Sequence, residues 1–148
     1  MSMDNVNVYT YTTIKSTRKN SGAFVYVLEK ITSKGPATLT KIEYIEDANQ
    51  NKAELTALVA ALKRLNKTCN LSIYTDSEYI RSAYLRGWIS EWKKKDFMNA
   101  KNNPVANMEE WRNLSNLLEK HLFHFEPKQE HSYHAWMVAE AEKGKKNV

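Results

Sequence analysis

The stretch that most constrains the fold is residues 71–76 (LSIYTD), which residues 77–86 (SEYIRSAYLR) follow directly. Its β-branched and aromatic residues run into a carboxylate, which predicts a strand, and the pattern behind it predicts a helix. Asp76 then lies on the rim of a sheet, and ligands bind at the carboxyl ends of strands in open α/β sheets. Aspartate is also a preferred helix N-cap, so this segment alone supports either role for Asp76.

The composition is that of an ordinary globular domain. The 148 residues are 42% hydrophobic and 26% charged, which favours one self-sufficient domain over residues 1–148. No apolar run approaches the roughly 18 residues that cross a bilayer, and the start shows no signal-peptide pattern. A lone cysteine, Cys69, has no internal disulfide partner. We therefore expect a cytoplasmic protein without a membrane span.

Three strands are predicted before the first helix. Residues 6–14, 23–28 and 38–45 alternate β-forming residues, and short polar turns separate them, which is typical of an antiparallel meander. From residue 51 the apolar residues follow helical spacing. Glu54 falls on the border of that apolar stripe, where it is either half inside the fold or directed outward beside the core.

The second half of the chain alternates helices and strands. Further helices are expected at residues 88–94, from Asn107 with Glu110 in a capping box, and within residues 131–143. A fifth strand is expected at residues 122–125. A meander followed by crossover connections predicts an α/β fold with a mixed five-stranded sheet, in which two parallel strands join the meander and helices cover the faces.

A basic and aromatic patch follows the second helix. Trp88 and Trp92 share a helix face, and Lys93, Lys94 and Lys95 come directly after them. This composition suits the phosphate backbone of nucleic acid, and the net charge of +5 has the matching sign. The alternative is that the tryptophans anchor the core and the lysines only face solvent.

Several motifs together resemble the type 1 ribonuclease H domain, over essentially the whole chain. NKAEL is similar to the motif that carries the catalytic glutamate, which makes Glu54 that residue. YTDSEYI resembles the YTDSxYV motif, which makes Asp76 the catalytic aspartate. GWISEWKKKDF, followed by NPVANMEEWRNL, resembles the segment that forms a basic protrusion in bacterial members, here residues 86–104. In HLFHFEPKQEHSYH, His131 and His134 match two histidines of an HAGH-like loop.

The resemblance implies a ribonuclease H-like fold and cleavage of the RNA strand of an RNA–DNA hybrid. Two Mg²⁺ ions roughly 3.5–4 Å apart would activate water and stabilise the leaving oxyanion. In the family four carboxylates hold the ions and a mobile histidine assists. Glu54 and Asp76 would be metal ligands here, and His131 would be the assisting histidine.

The resemblance breaks at two of the four acids. NVYTYTT lies over the first-strand motif YTDGS, so Tyr11 stands where the family has the aspartate that bridges both metals. The glycine-rich loop after that strand is replaced by IKSTRKN. For the last aspartate, Glu140 matches best, with Glu142 as the alternative. Mg²⁺ or Mn²⁺ is therefore expected to bind weakly or not at all.

We accordingly expect a protein that acts on an RNA–DNA hybrid or duplex, with cleavage weakened or lost. Arg18 and Lys19 in the altered loop, Asn51 at the start of the first helix, and the basic patch are the expected nucleic-acid contacts. Two alternatives stay open: an active metal-dependent ribonuclease H and a non-catalytic protein–protein scaffold. A basic tail is expected at residues 143–148.

Overall fold

A five-stranded mixed sheet forms the centre of the computed structural model, which describes residues 3–146. Its strands lie in the order β3-β2-β1-β4-β5. Their bounds are β1 (Asp4–Thr12), β2 (Asn20–Thr32), β3 (Gly35–Ala48), β4 (Cys69–Tyr74) and β5 (Leu122–Phe125). β1, β2 and β3 pair antiparallel, whereas β4 pairs parallel with both β1 and β5. The predicted fold class, a meander joined by two parallel strands, is confirmed.

Helices cover both faces of this sheet. They are α1 (Gln50–Leu62), α2 (Glu78–Leu85), α3 (Trp88–Lys94), α4 (Met108–Leu118) and α5 (His134–Lys146). Within the described residues, no helix is both long and apolar enough to span a membrane.

The alternation of side chains along β1 divides the interior into two cores. Val6 and Val8 face the larger core, which contains the apolar residues of α1 and the buried Trp111 of α4. Tyr9 faces the opposite side, where Met137 of α5 packs against the sheet. Successive residues of β1 therefore serve different cores, and this alternation continues to the carboxyl end of the strand.

The strands of the hairpin are longer than the sequence pattern indicates. β2 continues to Thr32 because Ile31 pairs with Pro36 and Thr32 with Gly35, which leaves a two-residue turn. Gly35 has a φ of 105°, a conformation that residues with a Cβ rarely adopt. Pairing with β3 therefore extends β2 beyond its residues of high strand propensity.

Two details at helix ends differ from the predictions. Asn107 has a left-handed φ of 59° and its side chain makes no cap hydrogen bond, so the capping box predicted with Glu110 is wrong. α5 begins at His134 and continues to Lys146, so most of the expected tail is helical. Asn147 and Val148 lie outside the described residues.

Candidate nucleic-acid site

The candidate site lies at the carboxyl ends of β1 and β4, which are neighbouring parallel strands. β1 contributes Thr10, β4 leads into Thr75 and Asp76, and α1 brings Glu54 under both strands. The hydroxyl groups of Thr10 and Thr75 donate to Oε2 of Glu54 over 3.4 and 3.2 Å. The structure therefore brings together the two acids for which the sequence predicts chemistry.

Glu54 is more deeply buried than its position on the border of the helix stripe suggests. The residue is 0% exposed, and its Oε1 has no hydrogen-bond partner among the described residues. Burial raises the pKa of Glu54 to about 7; the Lys15 ammonium opposes this shift and the Asp76 carboxylate adds to it. A carboxyl group with this pKa is partly protonated at neutral pH.

Asp76 is half-buried and is not the cap of α2. The cap is Ser77, whose Oγ accepts a hydrogen bond from the Ile80 N–H over 3.1 Å. Asp76 instead lines a small cavity of about 10 Å³, enough for about one water molecule. The alternative role as helix cap is therefore wrong, because Ser77 caps α2 and Asp76 lines the cavity.

Tyr11 follows Thr10 on β1, so its side chain points to the opposite face of the sheet. There its ring lies edge-on to His134, with 6.0 Å between the centroids. The Nζ of Lys15 lies 4.1 Å from the centroid of the Tyr11 ring. The position expected for a metal-bridging acid is thus occupied by a neutral ring with a cation over it.

His131 lines the same small cavity as Asp76. Its ring lies 4.4 Å from the Tyr9 ring and 5.8 Å from the Tyr74 ring, centroid to centroid. Burial, and then the neighbouring His134, lower the pKa of His131 against the opposing effect of Asp76. The imidazole is therefore neutral at pH 7, with its Nδ1 accepting the Tyr133 N–H over 3.2 Å.

Glu140 lies two turns into α5, where its Oε1 accepts from Lys143 Nζ over 3.2 Å. It lines a groove with Ile42 and Tyr44 of β3, which shares no residue with the cavity beside Asp76. Glu142 is half-buried further along the same helix. The structure thus does not place Glu140 in the cavity that contains Asp76 and His131.

The donor set does not fit a pair of magnesium ions. Among the described residues, no group of three or more His, Cys, Asp or Glu side chains is placed to hold a metal. Glu54 is fully buried, and Asp76 is the one acid among the residues that line the small cavity, whereas Mg²⁺ takes several oxygen ligands and retains several waters. The groups that would hold an ion here are the orphaned Oε1 of Glu54 and the carboxylate of the half-buried Asp76.

The basic protrusion contains α3 and the loop behind it. Lys93, Lys94 and Lys95 are exposed; Lys93 pairs with Glu119, and Lys94 lies 3.6 Å from Glu91. Trp88 and Trp92 are half-buried and pack against the larger core, with 6.2 Å between the two rings. The tryptophans act as anchors for the helix, while the lysines face solvent.

The remaining predicted contacts lie at the same end of the sheet as the acids. Arg18 and Lys19 are exposed in the loop between β1 and β2. The carbonyl of Ser16 in that loop accepts the Gln50 N–H over 2.9 Å, which holds the loop beside Asn51. The loop and the start of α1 therefore form one continuous polar surface.

Sequence reasoning missed a polar network on the α5 side. Oε1 of Glu29, near the carboxyl end of β2, accepts from Asn7 over 2.9 Å and Tyr9 over 3.3 Å, and Oε2 accepts the Tyr133 hydroxyl. It also missed Arg81, whose buried guanidinium donates to the backbone carbonyls of Thr75 and Glu126. The one available signal was an acid at the end of the apolar run AFVYVL.

Comparison with known proteins identifies the class of protein. The family model described as RNase H matches residues 3–141, and the chain belongs to the ribonuclease H family. A ribonuclease H of Clostridium botulinum (strain Hall) is 39% identical over 79 residues, which cover 53% of this chain and 53% of that protein. The chain thus spans about half the length of the curated relatives it matches.

Two solved structures share the fold. LC9-RNase H1, a type 1 RNase H with the type 2 active-site motif, has a TM-score of 0.77 at 16% identity, over 98% of this chain and 75% of that chain. A foamy viral protease-reverse transcriptase in complex with RNA/DNA hybrid has a TM-score of 0.69 at 19% identity, over 98% of this chain and 20% of that chain. At these identities the likeness concerns the fold.

Proposed function

We propose that this chain binds RNA–DNA hybrid or duplex nucleic acid through its ribonuclease H fold and that its cleavage activity is weak or lost. The observation that carries this proposal is Tyr11, with the Lys15 ammonium 4.1 Å from its ring centroid, at the position where the family resemblance expects an acid. The foamy viral neighbour, whose structure contains an RNA/DNA hybrid, supports the substrate class.

The different requirements of hydrolysis and of phosphate binding explain why cleavage should be weakened while binding is retained. Phosphodiester hydrolysis needs a water that is activated and aligned with the phosphate, and catalysis loses about a hundredfold for a misplacement of about 1 Å. Glu54 is fully buried and Tyr11 supplies no charge, so the remaining acid open to solvent at the small cavity is Asp76. Phosphate contacts by lysine and arginine need none of this geometry.

The proposed roles of the site residues follow from this division. Glu54, Asp76 and His131 belong to the residual catalytic set, in which Glu54 and Asp76 hold Mg²⁺ or Mn²⁺ weakly. Glu140 lines a separate groove and is left out of this set. The proposed nucleic-acid contacts are Arg18, Lys19, Asn51, Lys93, Lys94 and Lys95. Trp88 and Trp92 hold the helix that presents these lysines. Lys95 forms no ion pair among the described residues, so its charge is available to a phosphate. We propose the cytosol as the compartment, since Cys69 is a free cysteine.

A hybrid-cleavage assay tests the proposal directly. The natural chain is compared with Tyr11→Asp and with Asp76→Asn, each with Mg²⁺ or with Mn²⁺. We expect little or no cleavage by the natural chain, and binding to hybrid in the micromolar range or weaker at physiological salt. Robust cleavage by the natural chain that disappears in Asp76→Asn would contradict it.

The second candidate is an active metal-dependent ribonuclease H. It is favoured by the retention of Glu54 and Asp76 in electrostatic contact, and by the orphaned Oε1 of Glu54. The same Asp76→Asn comparison decides between the two candidates. If the natural chain neither cleaves hybrid nor binds it at low salt, the chain is better explained as a protein–protein scaffold.

A further inference from the structure

Lys15 is a cation whose charge acts on the buried acid of the site, Glu54. It is exposed, and it lies just beyond the end of β1, in the loop that also contains Arg18 and Lys19. Its Nζ lies over the ring of Tyr11, and its charge acts on Glu54. Lys15 therefore belongs to the basic loop and also acts electrostatically on Glu54.

The contact with Tyr11 fixes the ammonium without neutralising it. A cation over an aromatic face at an exposed site gains about 0.5–1 kcal/mol, and the ring brings no negative charge of its own. A carboxylate at position 11 would instead pair with Lys15 and cancel the charge toward an incoming phosphate. Tyrosine at this position thus orients a positive charge that stays available.

The acids alone would repel a nucleic-acid backbone. A divalent ion normally reverses that repulsion, but the donor set here does not fit a pair of such ions. Asp76 is half-buried and Glu54 is fully buried, so the negative charge that reaches solvent comes chiefly from Asp76. One ammonium group carries a charge of the opposite sign and the same size.

We propose that the Lys15 ammonium takes the place of a divalent ion in this site and binds a backbone phosphate of the nucleic acid without metal. This inference rests on the proposed function, because it requires that the chain bind hybrid or duplex. The ligand is a phosphodiester oxygen, and the group that binds it is Lys15 Nζ, which the Tyr11 ring positions. Nucleic-acid binding by this chain is consequently independent of Mg²⁺.

The first test is hybrid binding by fluorescence anisotropy in EDTA and in Mg²⁺ at matched ionic strength. The natural chain is compared with Lys15→Gln and with Lys34→Gln. Lys34 is an exposed lysine in the turn between β2 and β3, at the opposite end of β2 from the site, which makes it a matched control.

We expect equal affinity of the natural chain in EDTA and in Mg²⁺. Loss of one phosphate contact in Lys15→Gln should lower the slope of log K against log salt by about 0.9 and weaken binding on the order of tenfold near 0.05 M salt. Lys34→Gln should change neither value. Binding that requires Mg²⁺, or an equal effect of the two variants, would overturn the inference, whereas no binding by the natural chain would overturn the proposed function itself.

The second test measures metal directly and does not depend on activity. Mn²⁺ binding is titrated by calorimetry for the natural chain and for the double variant Tyr11→Asp, Lys15→Gln. We expect the double variant to bind Mn²⁺ at least tenfold more tightly, since it exchanges the resident cation for a carboxylate. Equally tight Mn²⁺ binding by both proteins would show that Lys15 does not replace a metal.

Discussion

At the level of single residues, the buried Glu54 makes the stability of the fold depend on pH. Its pKa is raised from 4.5 to about 7, chiefly by burial. Because the folded state holds the proton more tightly than the unfolded state, stability falls as pH rises from 4.5 to about 7 and stays low above that. At 1.36 kcal/mol per pKa unit, ionisation of Glu54 lowers the free energy of unfolding by roughly 3 kcal/mol.

We expect Glu54→Gln to remove this loss, since an amide does not ionise. Urea unfolding at pH 5 and pH 8 measures the effect. The natural chain should lose up to about 3 kcal/mol of unfolding free energy more than the variant between these conditions. Glu46→Gln, at an exposed position on β3, is the control and should follow the natural chain. Identical pH dependence of Glu54→Gln and the natural chain would refute the expectation.

Arg81 is a second residue whose burial has a measurable consequence. Its guanidinium donates to the backbone carbonyls of Thr75 and Glu126, so it ties the end of β4 to the chain that leaves β5. Its charge partner, Glu78, is exposed. Arg81→Met leaves two carbonyls without a donor, each worth about 1–3 kcal/mol.

We therefore expect Arg81→Met to lower the free energy of unfolding by about 2–6 kcal/mol in urea titrations. Arg81→Lys should fall in between, because an ammonium lacks the fork that reaches both carbonyls. Arg86→Met, one turn further along at an exposed position, should change stability by less than about 0.5 kcal/mol. An equal effect of the two methionine variants would contradict this account.

Among the elements, α5 is fastened to the sheet by a hydrogen bond as well as by apolar packing. The Tyr133 hydroxyl, one residue before α5, donates to the Glu29 carboxylate of β2. This contact raises the pKa of Tyr133 to about 12. For Glu29, burial acts to raise the pKa, but the hydrogen bonds from Tyr133, Asn7 and Tyr9 together hold it below its usual value of 4.5.

A carboxyl group whose folded pKa is lowered stabilises the fold above its unfolded pKa, and this contribution is lost as pH falls through the folded pKa. Tyr133→Phe should therefore cost about 1.5–3 kcal/mol at pH 7, the value of a hydrogen bond to a charged group, and less at pH 3. Urea unfolding at both pH values measures it. The control is Tyr44→Phe, on the exposed part of β3. An equal loss of unfolding free energy in Tyr133→Phe at both pH values would contradict the inference that the hydrogen bond stabilises an ionised Glu29.

The same element shows how far sequence reasoning reaches. The order of strands and helices followed from periodicity, because buried positions alternate along strands and recur at helical spacing. The start of α5 at His134 was not evident, since it depends on Met137 and Ala141 meeting the sheet. The capping box at Asn107 failed because a left-handed backbone turns the side chain away from the helix.

For the molecule as a whole, the candidate site was predictable in part for the same reason. Asp76 follows from a strand that ends on an acid, whereas the full burial of Glu54 depends on β1 and β4 lying side by side above α1. The contact of Lys15 with Tyr11 spans a loop whose path no pattern specifies. The Glu29 network joins residues up to 104 positions apart, beyond any local signal.

The distribution of charge over the molecule gives a last prediction. The net charge of +5 is small, so binding should depend on the few lysines that face the duplex, not on a general positive field. Lys93 and Lys94 already form ion pairs with acids, whereas Lys95 forms none among the described residues. With about four phosphate contacts, raising salt from about 50 to about 200 mM should weaken hybrid binding on the order of a hundredfold.

Lys95→Gln should lower the slope of log K against log salt by about 0.9, and Lys120→Gln, on the loop after α4, should leave it unchanged. Equal slopes for all three proteins in anisotropy titrations would place the duplex away from the protrusion, because each lost phosphate contact must reduce counterion release.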